Sequence, residues 1–264
     1  MTEKEINPKI VFPNAVTMMA LAFGVSSINM SLWGNWKMAV LFIFLSGLFD
    51  FLDGKVARML GVSSKFGAEL DSLSDFVSFG VAPGLLMYQW TMDSHMRLLA
   101  MHDMAYKPMA VGIAWCFILF LAMCCAARLA RFNTMLDEKQ PSYWKHFFMG
   151  VPAPAGGVLA MLPLIMWLAT DGKVHFLRAP WFAGFFVVFA GIMMASKIPT
   201  FCLKHIHIKR DYASLLVILL LLLLAGLVTH TWGVMSLIGI GYVLSIPVGI
   251  CVFLKAKKKR SFIK

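Results

Sequence analysis

The sequence predicts an all-α integral membrane protein of about eight transmembrane helices, and three observations carry that prediction. Of 264 residues, 60% are apolar and only 14% charged, against roughly half and a quarter in an ordinary soluble domain. The mean hydropathy of +0.77 holds over the whole length. The apolar runs are long, on the scale of the ~20 residues a helix needs to cross lipid. They also lack the alternation of a membrane β-barrel. A disordered chain and a disulfide-stapled secreted module are excluded by the same composition.

The runs follow in order. The first, near 12–31, comes after Glu3, Lys4, Glu5 and Lys9 and lacks a clear small-residue cleavage site, so a retained helix is expected and not a signal peptide. The second, 36–53, runs into Asp50 and Asp53, and the third, 66–90, begins after Met59-Leu60-Gly61-Val62-Ser63-Ser64-Lys65. That connection is short enough to make the two helices antiparallel neighbours. The segment Thr91 to Lys107, with Asp93, His95, His102 and Asp103, is expected to be a loop on the outer face. The fourth run, 108–127, ends at Arg128 and Arg131, and the fifth and sixth cover 151–170 and 179–196. A basic loop containing His205 and His207 precedes the seventh run, 212–229; the eighth, 233–254, leads into a basic tail, Lys255 to Lys264.

With the N-terminus in the cytoplasm, 19 of the 24 Lys and Arg residues fall on the cytoplasmic side. This follows the positive-inside rule and puts both termini inside. The formal charge of +11 is therefore topology plus attraction to anionic lipid, not a nucleic-acid footprint. The five cysteines show no C-x-x-C spacing, which argues against a disulfide framework or zinc site. No internal repeat or low-complexity linker divides the chain, so residues 1–264 form a single membrane domain.

The acidic residues carry the functional signal. Five of the 13 (Asp50, Asp53, Glu69, Asp71 and Asp75) lie within 26 residues around the second and third helices. Ionisable groups at membrane depth are expensive and mark functional cavities. At roughly 100° per residue, Asp50, Asp53, Gly54 and Ala57 share one stripe if the second helix continues past the membrane surface, and Gly67, Asp71 and Asp75 share a face of the third. Four carboxylates converging from adjoining helices repel one another, and one arginine, Arg58, is too few to neutralise them. Divalent ions resolve the repulsion, and oxygen-only ligands suit Mg²⁺ or Mn²⁺. Gly54, Ala57 and Gly67 are either close-packing positions of a membrane bundle or space for a phosphate-bearing ligand, with Arg58 on one of its oxygens. An ion-coupled transporter also holds carboxylates in its helices, but at the midplane of repeated halves; here they cluster in one unrepeated hairpin at the cytoplasmic interface.

Read in order, Asp50-x2-Asp53-Gly54-x2-Ala57-Arg58-x8-Gly67-x3-Asp71-x3-Asp75 resembles the signature of the CDP-alcohol phosphatidyltransferases, at all eight positions and both gap lengths. Arg128-Leu129-Ala130-Arg131-Phe132-Asn133 and Gly150-Val151-Pro152-Ala153-Pro154-Ala155 resemble the downstream blocks of the family's phosphatidylserine synthase branch. Pro13-Asn14-x2-Thr17, opening the first helix, fits the family as well, although it also reads as a plain helix start. The resemblance implies a six-helix catalytic core within residues 1–200, with two additional helices and the tail in 201–264. It further implies a bacterial inner-membrane enzyme with a cytoplasmic active site, and a homodimer.

The implied reaction transfers phosphatidate from CDP-diacylglycerol to an alcohol and releases CMP. In that reading Asp50, Asp53, Asp71 and Asp75 hold two divalent metals that clamp the pyrophosphate, and Asp75 is also the general base. Asn14, Thr17, Gly54, Ala57, Arg58 and Gly67 cradle CDP-diacylglycerol. Ser72, Ser74 and Ser78 lack a nearby His, so direct attack by the acceptor is expected and not a covalent intermediate. For L-serine as acceptor, Arg128, Arg131 and Asn133 are the expected contacts, since a guanidinium fork matches a carboxylate. The two arginines, three residues apart, should share a face. Their other reading is positive-inside flanking, and a glycerol 3-phosphate or inositol acceptor remains the alternative within the family.

Overall fold

The computed structural model describes residues 8–62, 64–101, 108–135, 147–201 and 213–261. Ten α-helices carry the architecture of the described residues. The first is α1 (Pro8–Leu32), followed by α2 (Trp36–Leu60). Then α3 (Lys65–Asp75), a six-residue π-helical stretch (Phe76–Val81) and α4 (Ala82–Met101) form one unbroken rod. The remainder is α5 (Pro108–Met135), α6 (Ala153–Ala160), α7 (Leu162–Ala169), α8 (Pro180–Ala195), α9 (Ala213–Thr229) and α10 (Thr231–Ser261).

Three of these are long and apolar enough to cross a membrane: Val11–Leu32, Val111–Met135 and Thr231–Leu254. Pro180–Ala195 and Val217–Thr229 are apolar but shorter. The buried stripe of α1 shows how such a helix packs. Pro13, Thr17, Ala20, Gly24, Ser27 and Ser31 recur every three to four residues and face inward, while Phe12, Met18, Met19, Val25 and Leu32 face out. Small residues inside and large apolar ones outside is the pattern of a helix bathed in lipid. Serine hydroxyls close the α1–α2 seam: Ser27 donates to the Ala39 carbonyl at 2.7 Å and Ser46 to that of Ala20 at 2.8 Å. In α9, Val217 through Leu224 are all exposed, so that helix presents apolar surface on every side.

The core gathers where the rod crosses the later helices. Phe79, Leu86 and Trp90 pack with Ile43 of α2, Leu121 of α5, Leu159 of α6 and Leu164 and Ile165 of α7.

Three expectations change, while the all-α class stands with two short strands beside the helices. Thr91 to Met101 continues α4 instead of forming an outer loop, and Asp93 within it pairs with Arg178 at 2.7 Å. The Arg178 guanidinium also donates from Nε to the Trp90 carbonyl and lies 5.5–5.9 Å from the rings of Trp36, Trp90 and Trp167. A pairing across so many residues of sequence leaves no local signal. The expected fifth span is broken at Met161 into α6 and α7, because Pro163 cannot donate to the preceding turn. Pro13 sits inside α1 and does not open it, since the helix begins at Pro8. The two three-residue strands, β1 (Phe147–Met149) and β2 (Pro199–Phe201), pair antiparallel with Phe147 opposite Phe201; three residues are too few for an alternation to show in sequence. His205, His207 and Cys202 lie outside the described residues, as do the side chains of the tail from Lys255.

Candidate active site

The hairpin that positions the acids is built from local signals. The chain leaves α2 through Gly61, left-handed at φ 63°, ψ 26°. The Val62 N–H reaches the Ala57 carbonyl at 3.1 Å and the Gly61 N–H that of Arg58 at 3.3 Å. This is the paired closure of a helix on a C-terminal glycine. Ser64 then caps α3, its hydroxyl accepting from the Gly67 N–H at 2.9 Å. Because α2 runs on to Leu60, well beyond Asp53, both of its aspartates stand on continuous helix facing the start of α3.

Asp50, Asp53 and Asp71 each bring a carboxylate oxygen within 4.8 Å of the others. Asp75, one turn further along α3, lies within hydrogen-bonding reach of Asp50. Asp53 is 6% exposed, and its Oδ2 makes no hydrogen bond. A buried carboxylate oxygen without a partner, in an oxygen-only donor set, fits a hard divalent cation such as Mg²⁺ or Mn²⁺. The Arg128 guanidinium of α5 is the basic group nearest in effect, in the field of Asp75 and Asp50.

Beside the acids a cavity of about 200 Å³ opens between α1, α2 and α3. Asn14, Thr17, Asp53, Gly54, Ala57, Gly67 and Asp71 line it, together with Pro13, Val62, Ser64 and Ala68. Gly67 packs closely: a Cβ there would lie 2.9 Å from Asn14 Oδ1 and 3.0 Å from Ser64 Oγ, so a larger residue must push those side chains aside. Gly54 lies beneath Arg58, whose guanidinium would be 3.4 Å from an added Cβ. Arg58 is exposed at the surface near Gly54 and is not among the lining residues. The expected nucleotide positions other than Arg58 thus share one hollow with two of the acids.

Residues 10–198 match the family described as CDP-alcohol phosphatidyltransferase, and 211–247 match a second described as CDP-alcohol phosphatidyltransferase 2. The chain belongs to the CDP-alcohol phosphatidyltransferase family. It is 31% identical to a CDP-diacylglycerol–serine O-phosphatidyltransferase of Mycobacterium leprae, over 91% of this chain and 74% of that one. A protein of the same name from Helicobacter pylori is 33% identical over 84% and 83% of the two chains. An archaetidylserine synthase of Methanothermobacter thermautotrophicus is 34% identical over 60% of this chain and 59% of its own. Family membership and the three long apolar helices make this phosphatidyltransferase an integral membrane protein.

The residues expected at the acceptor side separate. Arg128 turns toward the acids, whereas Arg131 Nη1 donates to the Ser196 carbonyl at 3.3 Å, where the chain leaves α8. Three residues on a helix are about 300° of turn, so the two side chains diverge by some 60°, enough for different neighbours. Asn133 Nδ2 donates to Ser72 Oγ at 3.0 Å, tying the end of α5 to the residue after Asp71. Ser72 itself donates to the Ala68 carbonyl and Ser74 to that of Thr17, so both hydroxyls are engaged. Sequence reasoning missed Ser64, Val62 and Ala68. The serine was findable as a residue that caps helices ahead of an amphipathic run; the other two carry no signal of their own.

Proposed function

We propose that this chain transfers the phosphatidyl group of CDP-diacylglycerol to the hydroxyl of L-serine, forming phosphatidylserine and CMP. The observation that carries the proposal is the hollow of small residues opening directly onto clustered carboxylates. The printed names of relatives spanning most of the chain favour serine over another alcohol.

Asn14, Thr17, Gly54, Ala57 and Gly67 would admit the nucleotide, with Arg58 at its rim. Asp50, Asp53, Asp71 and Asp75 would hold two divalent cations, which when bound offset the pyrophosphate charge and stabilise the departing CMP oxygen. Asp75 would take the proton of the serine hydroxyl as it attacks phosphorus directly. Arg128 would draw the serine carboxylate toward the acids, with Arg131 and Asn133 bracing the end of α5.

The same reading has eight helical spans, a core within 1–200 and two further helices in 201–264. It places both termini and the active site in the cytoplasm of a bacterial inner membrane, the basic tail on anionic lipid, and the protein as a homodimer. The charge distribution supports that orientation, and the exposed leucines of α9 offer lipid or a second copy an apolar face. The test is CMP release from CDP-diacylglycerol by the purified protein with Mg²⁺ or Mn²⁺, comparing serine, glycerol 3-phosphate and inositol. Release with serine above the other two is expected; equal release, or none with serine, refutes the assignment.

A further inference from the structure

The face of α3 that carries Asp71 and Asp75 is bordered by two serines. At roughly 100° per residue, Ser72 and Ser74 stand about 80° to either side of the line midway between the two aspartates, and Leu73 lies behind. Leu73 is 61% exposed, so the back of the helix has little to rest on and its orientation is set from the flanks. On one flank α3 packs along α1, and the buried Ser74 hydroxyl donates to the Thr17 carbonyl at 3.4 Å. On the other, Asn133 Nδ2, near the end of α5, donates to Ser72 Oγ at 3.0 Å. Ser72 in turn donates to the Ala68 carbonyl at 3.0 Å, so the link reaches the backbone of α3 one turn back.

These links oppose a force. Carboxylate oxygens of Asp50 and Asp53 on α2 lie within 4.8 Å of one on Asp71, and like charges push the two helices apart. A small divalent ion holds its ligands over a narrow range of distances, so a slight tilt of α3 costs affinity. We propose that Asn133 is a positioning residue: acting through Ser72, it holds the Asp71–Asp75 face of α3 toward the acids of α2, opposite the Ser74 anchor on α1. The place beside the acceptor that the resemblance implies for Asn133 is replaced by one behind the metal ligands. This inference rests on the proposed metal-assisted transfer.

The experiment compares the full chain with Asn133→Ala, Ser72→Ala and the double variant. Mn²⁺ binding to the substrate-free protein is read from the electron paramagnetic resonance of the free ion. The Kd for Mn²⁺ is expected to rise about tenfold in Asn133→Ala, the low end of what losing support behind a metal ligand costs. Ser72→Ala should match it and the double variant should add nothing, because the two residues act as one link. With Mn²⁺ saturating, the KM for L-serine is expected to stay as in wild type. Thr134→Val is the control: it removes the hydroxyl bond to the Arg131 carbonyl in the same turn of α5 and should leave Mn²⁺ binding in place. Unaltered Mn²⁺ binding in Asn133→Ala, a rise in the L-serine KM in its stead, additive losses in the double variant, or an equal loss in Thr134→Val overturns the inference. Wild type that binds Mn²⁺ but does not turn over L-serine sinks the acceptor assignment alone, and wild type that binds no Mn²⁺ sinks the metal reading together with this one. Active, Mn²⁺-binding wild type with an unaffected Asn133→Ala fails this inference alone.

Discussion

The two ends of the α2–α4 hairpin both carry charge, and they treat it in opposite ways. At one end Asp93 meets Arg178 at 2.7 Å, with three tryptophan rings around the guanidinium and its Nε on the Trp90 carbonyl. At the other, Asp50, Asp53 and Asp71 crowd within 4.8 Å, and an Asp53 oxygen has no partner. A satisfied pair ties helices together; a cluster of like charge stores repulsion that a bound cation, or failing that a shared proton, relieves. The contrast teaches that charge in an apolar bundle serves stability when it is neutralised by the chain itself. It serves chemistry when neutralisation is left to a ligand.

Breaking each end should therefore give opposite phenotypes. The largest effect is expected from Asp71→Asn or from excess chelator, each lowering CMP release about 10³-fold, the scale of losing a catalytic carboxylate. Thermal unfolding of Asp71→Asn should be unchanged or shifted upward, because one of the repelling charges is gone; a large fall would mean the acids are structural. Next, Arg178→Met strips Asp93 of its counter-charge and should cost about 2 kcal/mol, less than a fully buried pair because both side chains keep some solvent contact. Equilibrium unfolding reads this, and turnover per folded molecule should match wild type.

Gly67→Ala sharpens the picture of the hollow. The added methyl must displace Asn14 or Ser64, so the KM for CDP-diacylglycerol should rise about tenfold, or 1.4 kcal/mol. An unchanged KM would remove these residues from the nucleotide path. The smallest effect belongs to Asn35→Ala at the start of α2, where the side chain accepts from the Met38 N–H at 3.2 Å. Loss of that cap should cost about 1 kcal/mol of stability and leave the kinetics alone, since it lies at the opposite end of α2 from the acids.

Much of the acidic hairpin was legible because its determinants are close in sequence. The helical period places Asp50 with Asp53 and Asp71 with Asp75, and residues 59–65 are short enough to fold the two helices together; that Gly61 and Ser64 cap them is seen in the structure. The acceptor side was legible only in part. Arg128 and Arg131 look equivalent on a helical wheel, yet one faces carboxylates and the other a backbone carbonyl of a distant segment.

Composition and periodicity alone determined that the chain is helical, apolar and membrane-borne, and that one short loop folds two acid-bearing helices together. These are consequences of hydrogen bonding and burial over neighbouring residues. Only the tertiary structure decided which cation faces the acids, how Arg178 and Asp93 find each other, and where a π-helical stretch follows Asp75. Those outcomes depend on contacts between segments far apart along the chain, where side-chain volume and direction select the partner and local preference has no say.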